Sequence, residues 1–134
     1  MISVALARQL RDSGLRWHPA AGDRFVVADR GMDDEVFTLA DMTVDVHNFP
    51  GGAVIGFNGT VEWALDSIDV QASVWLPSEA QLRERLGGAF VSLDRDGADW
   101  RVRLTVAGRP VVVTDPRPAE AYGRALLELI NATK

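Results

Sequence analysis

The residues best suited to chemistry lie in the middle of the chain. Asp33-Asp34-Glu35 precede one apolar run, Asp41 precedes the next, and Asp45 and His47 fall two apart in Met42-Thr43-Val44-Asp45-Val46-His47. If that run is a strand, alternate side chains share a face and Asp45 and His47 project together. Carboxylates with one imidazole form a ligand set for a hard or borderline divalent ion, and an open coordination position would turn a bound water into a nucleophile. Asp41, Asp45 and His47, supported by Asp33 or Glu35, therefore define a candidate metal site and a metal-dependent, hydrolase-like alternative. Their spacing matches no known metal loop. The same alternation describes an ordinary half-buried strand, with Met42, Val44 and Val46 inward and Thr43, Asp45 and His47 in water, and this is the reading the sequence favours.

Other constellations carry less chemistry. His18 and His47 are the two imidazoles in the sequence, and His18-Pro19 reads as a solvated loop. No Gly-x-Ser-x-Gly elbow is present, and the glycines from Gly51-Gly52 to Gly59 lack the spacing and lysine of a phosphate loop, so they read as turns. Glu62 and Asp66 stand four apart and read as a solvated helix face. With no cysteine, thiolate zinc, iron–sulfur clusters, disulfides and cysteine nucleophiles are excluded. No cofactor is implied. Of the four tryptophans, Trp75 and Trp100 lie in strand patterns and read as core. Trp17 follows a helix stop and Trp63 sits in a first helical turn, so each is placed to line a partner-facing patch.

Charge is unevenly spread over the 134 residues, whose formal total is −5. Residues 1–22 carry a net +2, residues 23–69 a net −8 and residues 70–134 a net +1. An acidic chain is poorly suited to the phosphate backbone, so nucleic acid is not an expected partner. No apolar run reaches the ~18 residues that span a bilayer, and no secretory signal pattern opens the chain, so a cytoplasmic protein without a membrane segment is expected.

Punctuation places the elements. Ser3 caps a helix carrying Leu6 and Leu10, which stops at Gly14. Phe25–Val27, Val36–Leu39, Met42–His47 and Ala53–Phe57 read as strands of an antiparallel meander, and Thr60 caps a short helix carrying Trp63, Leu65 and Ile68. After the short strand Val74–Leu76, Ser78-Glu79-Ala80-Gln81 is a capping box for a helix with Leu82 and Leu86. Three strands follow, around Phe90–Leu93, Trp100–Val106 and Val111–Val113, joined at Asp96-Gly97 and Ala107-Gly108. Arg101, Arg103 and Thr105 share the polar face of the middle strand, which reads as solvated. A last helix enters through Pro116 and Pro118 and lines up Tyr122, Leu126, Leu129 and Ile130. The expected fold is a single α+β domain over residues 1–134, mostly antiparallel sheet flanked by about four helices.

Two resemblances accompany this reading. The segments Asp41 to His47, Val54 to Ser67, Trp75-Leu76-Pro77 and Gln81-Leu82-Arg83 resemble a family of small actinobacterial proteins, some of them labelled pilus assembly proteins. That label belongs to ATPases with a phosphate loop, which this sequence lacks, so the resemblance implies no activity and no site residues. The strands from 90 to 114, with Thr114-Asp115 and the helix containing Ala119-Glu120-Ala121-Tyr122, are similar to the three strands plus helix of HicB-type antitoxins. They are also similar to the end of double-stranded RNA-binding domains, but Arg117 and Arg124 among acids replace the lysine cluster those domains use. The functional expectation is a non-enzymatic binding or assembly module with a protein partner or self-association. Its contact region is the acidic sheet surface of Asp41, Asp45 and His47 with Trp17 and Trp63. A metal-dependent enzyme and an antitoxin-like regulator are the alternatives, and no small ligand is indicated.

Overall fold

A computed structural model describes residues 1–27, 32–39, 44–49, 52–57, 67–69 and 73–133, with 32–35, 44–49, 52–57 and 67–69 described as strand backbone. In chain order the elements begin with α1 (Val4–Asp12), β1 (Arg24–Val27), β2 (Met32–Thr38), β3 (Val44–Phe49), β4 (Gly52–Phe57), β5 (Ser67–Asp69) and β6 (Ser73–Leu76). They continue with α2 (Glu79–Leu86), a 3-10 turn (Gly87–Ala89), β7 (Phe90–Asp96), β8 (Asp99–Val106), β9 (Arg109–Asp115) and α3 (Pro118–Ala132). The class is α+β, as expected. The chain divides into two compact units, one of residues 1–15 with 77–134 and one of residues 16–76.

The first unit is built on short-range signals that the chain spells out. Ser3 accepts the Leu6 N–H at 3.2 Å and starts α1, and the Leu15 N–H closes it on the Leu10 carbonyl at 2.9 Å. Leu6, Ala7 and Leu10 are the buried stripe of α1. Both bonds of the capping box form at α2, Gln81 N–H to Ser78 Oγ at 3.2 Å and Ser78 N–H to Gln81 Oε1 at 2.9 Å. Pro118 occupies the first turn of α3, where its missing N–H has no helical partner to lose.

β7, β8 and β9 form an antiparallel sheet in that order. Val102, Leu104 and Val113 are buried on the face that α3 covers, and Phe90 meets Tyr122 of α3 at 5.8 Å between ring centroids. The β7–β8 hairpin turns on Gly97-Ala98, one residue later than expected. Gly97 alone has positive φ there, the sign pattern of a type II′ turn. The β8–β9 hairpin turns on Ala107-Gly108 with φ of 52° and 77°, the pattern of a type I′ turn whose first position holds a residue with a Cβ.

In the second unit the expected meander is replaced by two three-stranded antiparallel sheets, ordered β2-β1-β6 and β3-β4-β5. β1 is buried at Phe25, Val26 and Val27, and it takes β6 as its second neighbour along Phe25↔Trp75 and Val26↔Val74. Both apolar runs are buried, β1 between β2 and β6 and β6 at the edge, and they pair across nearly fifty residues. β2 starts at Met32 because its ladder to β1 reaches Val27↔Met32, which places Asp33-Asp34-Glu35 inside the strand and not before it. The helix expected from Thr60 falls on residues 58–66, outside the described residues, and Ile68 belongs instead to β5, opposite Ile55. A β-branched residue fits that ladder well. Among the described residues there are three α-helices where about four were expected.

Two substitutions test this packing. A Cβ at Gly123 of α3 would stand 2.6 Å from Leu6 Cδ2 and 3.3 Å from its Cγ, and Leu6 is only 4% exposed. Gly123→Ala should come out near neutral in urea unfolding, since roughly 1 kcal/mol of helix propensity offsets the clash. Gly123→Val should lose about 1–3 kcal/mol through overpacking. Ala107→Asn should stabilise by roughly 1 kcal/mol in the same measurement, because asparagine tolerates the left-handed region better than alanine.

Candidate functional site

Of the residues singled out by the sequence, those described are divided among separate elements. Asp41 and Trp63 lie outside the described residues. Asp45 and His47 are neighbours by alternation on β3, opposite Gly56 and Val54, while Asp33 and Glu35 belong to β2 in the other sheet. Their side chains are outside the described residues. Among the described residues no three His, Asp or Glu side chains stand close enough together to hold a metal ion.

Trp17 is half-buried and engaged within its own unit. Its ring lies 5.3 Å from Phe25, which stacks on Phe37 at 5.6 Å. Its indole N–H donates to Asp23 Oδ2 at 2.9 Å, and the Ala20 N–H donates to the same oxygen at 3.0 Å. Asp23 is 5% exposed, so these donors offset the desolvation of a carboxylate. Trp17 thus fixes the loop leading into β1. His18 is exposed, as a solvated loop residue should be, and Trp75 is buried in β6.

A different surface emerges on the outer face of the β7–β9 sheet. The register sets Asp94 opposite Arg101 and Ser92 opposite Arg103, and sets Arg101 and Arg103 opposite Thr114 and Val112. The Arg101 Nε–H donates to Asp94 Oδ1 at 2.7 Å, Arg103 Nε lies 3.6 Å from Asp94 Oδ2, and Arg101 Nη1 lies 3.6 Å from Asp96. The Arg101 hydrogen bond holds the Asp94 carboxyl below the usual aspartate range and raises the guanidinium in return. Around these charges stand two apolar side chains in water, Val91 at 60% and Val112 at 51% exposure. Val91 is the extra residue of a register shift between Phe90 and Ser92, and it is left exposed. Sequence patterning identified the Arg101, Arg103 and Thr105 face but missed Val91 and Val112. A bulge leaves no mark in local alternation, and Val111-Val112-Val113 looks uniformly apolar.

The rim of the sheet is guarded. Arg124 of α3 donates to the Thr114 carbonyl at 2.9 Å and lies 3.5 Å from Asp115, while Pro110 gives β9 a residue without an N–H. Both features discourage another strand from adding to β9. At the hairpin end, the Arg95 guanidinium sits 4.8 Å above the Trp100 ring and donates to the Gly97 carbonyl at 3.3 Å. No helix among the described residues is long and apolar enough to cross a membrane. No family model, curated protein or solved structure matches the chain.

Two measurements follow. A group whose folded pKa is depressed stabilises the fold above the unfolded value, and that contribution disappears as pH falls through the folded one. Asp94 should therefore titrate by NMR below an ordinary aspartate, and Arg101→Ala should move its midpoint back up. Trp17→Phe leaves the buried Asp23 carboxylate short of a donor and should weaken protection of the β1 amides in hydrogen exchange by about 1–2 kcal/mol.

Proposed function

We propose that the chain is a cytoplasmic, non-enzymatic binding or assembly module that acts through protein–protein contacts, with the outer face of β7–β9 as its principal contact surface. The observation that carries this reading is the placing of Val91 and Val112, both more than half exposed, around the Asp94–Arg101–Arg103 cluster. Protein interfaces combine an apolar centre with arginine-rich polar surroundings. Arginines already tethered to a neighbouring carboxylate lose less side-chain freedom on docking than free ones. On the sequence reading, Asp41, Asp45, His47, Trp17 and Trp63 form a further contact region.

The test pairs crosslinking with metal titration. A photoreactive phenylalanine analogue at position 112, introduced in the cells that make the protein, should yield a protein adduct, and the same group at Arg83 on the exposed side of α2 should not. Thermal unfolding should be unchanged by EDTA, manganese, zinc or magnesium. A metal-dependent enzyme using Asp41, Asp45 and His47 would instead gain stability by mass action when the metal is added. The absence of any adduct from position 112 would overturn the module reading, and a raised midpoint would point to the metal-dependent enzyme.

A further inference from the structure

The outer sheet face is not merely mixed in charge; its charges are sorted by strand. β7 contributes Asp94 and Asp96, while β8 beside it contributes Arg101 and Arg103, with Asp99 at the hairpin end. An acidic stripe therefore runs alongside a basic one. Consider a two-fold axis lying in the plane of contact, parallel to the strands and between β7 and β8. Such an axis lays β7 of one copy over β8 of another, with each sequence position kept at its own level along the strand. Asp94 then faces the second copy's Arg101, Arg101 faces the second copy's Asp94, and the two pairs close a ring of four alternating charges.

Resting on the reading of the chain as a contact module, we propose that its partner is a second copy of itself, docked face to face through this sheet as an isologous dimer. Sheets stacked this way lie roughly 10 Å apart and cross at about 30°, a gap that the long arginine side chains can bridge. The crossing carries the Asp96 and Asp99 hairpin ends away from one another, which relieves the one row where acid would meet acid. The same operation brings Val91 of each copy beside Val112 of the other, so both exposed valines gain apolar cover. The route through an edge is closed on the β9 side by Pro110 and Arg124, and the irregularity at Val91 interrupts β7.

Sedimentation or light scattering across a concentration series should show a reversible dimer of the full chain that weakens as salt is raised. Asp94→Arg makes the ring all basic, and Arg101→Asp makes positions 94 and 101 both acidic. Each variant alone should lose self-association by about 100-fold, because each sets like charges opposite one another. Mixing the two variants should restore a dimer containing one copy of each, since the opposite signs again face across the axis. That restoration also shows that neither variant is misfolded. Val112→Glu should be monomeric. Self-pairing is overturned if the wild-type chain is monomeric at every concentration, if the mixture stays monomeric, or if Val112→Glu dimerises normally. In any of these cases, crosslinks from position 112 to a different protein would leave the module reading standing, and no crosslink at all would remove both.

Discussion

The first unit depends on how one buried carboxylate is satisfied. Glu120, in the first turn of α3, is 7% exposed. Its oxygens accept the Ser3 backbone N–H and, at 3.2 Å, the Ser3 hydroxyl, with Arg117 Nη2 at 3.6 Å. Burying a carboxylate without such donors would be strongly unfavourable, so the pairing is close to obligatory once α3 packs. An anion at the start of α1 also meets the positive end of that helix, and near its own N-terminus it favours α3 in the same way. The contact brings Leu6 of α1 against Gly123, one turn further along α3. With α1 held there, the same helix still buries Ala119, Tyr122 and Leu126 and covers the inner face of the sheet.

From that arrangement the character of the opposite face follows. Because Val102 and Leu104 must point toward α3, Arg101 and Arg103 must point away, two residues apart on a strand with period two. Asp94 is brought to them by the β7–β8 register, which the Gly97-Ala98 turn sets. The ion pairs are exposed and each contributes little to stability, yet they hold the guanidinium groups in a defined orientation. Orientation, more than stabilisation, is what a contact surface needs.

Elements announced by local chemistry are legible in the sequence. The Ser78 to Gln81 capping box marks α2, Ser3 marks α1, and the alternation of Trp100, Val102, Leu104 and Val106 marks β8, in which Val102 and Leu104 are buried and Trp100, expected in the core, is half-buried. Features set by distant partners are not. Nothing near Phe25 indicates that its second neighbour is Trp75, and nothing near Asp33 indicates that Met32 will pair with Val27. Ile68 suits a helix stripe and a ladder equally well, and its place opposite Ile55 is decided by β4. The candidate surface divides in the same way. Arg101 and Arg103 were visible through strand period, whereas Val91 depends on a register shift and Asp94 on which hairpin turn the chain adopts.

The Ser3 to Glu120 contact also imposes an order of events during synthesis. The two residues are 117 positions apart, and at about 5–20 residues per second the ribosome needs roughly 6–25 s to produce the second after the first. α1 has only nine residues, below the ~12 at which an isolated helix becomes even marginal in water. The apolar stripe of α1 is therefore made well before α3, the helix it packs on, and its docking has to wait until Glu120 and Gly123 have been synthesised.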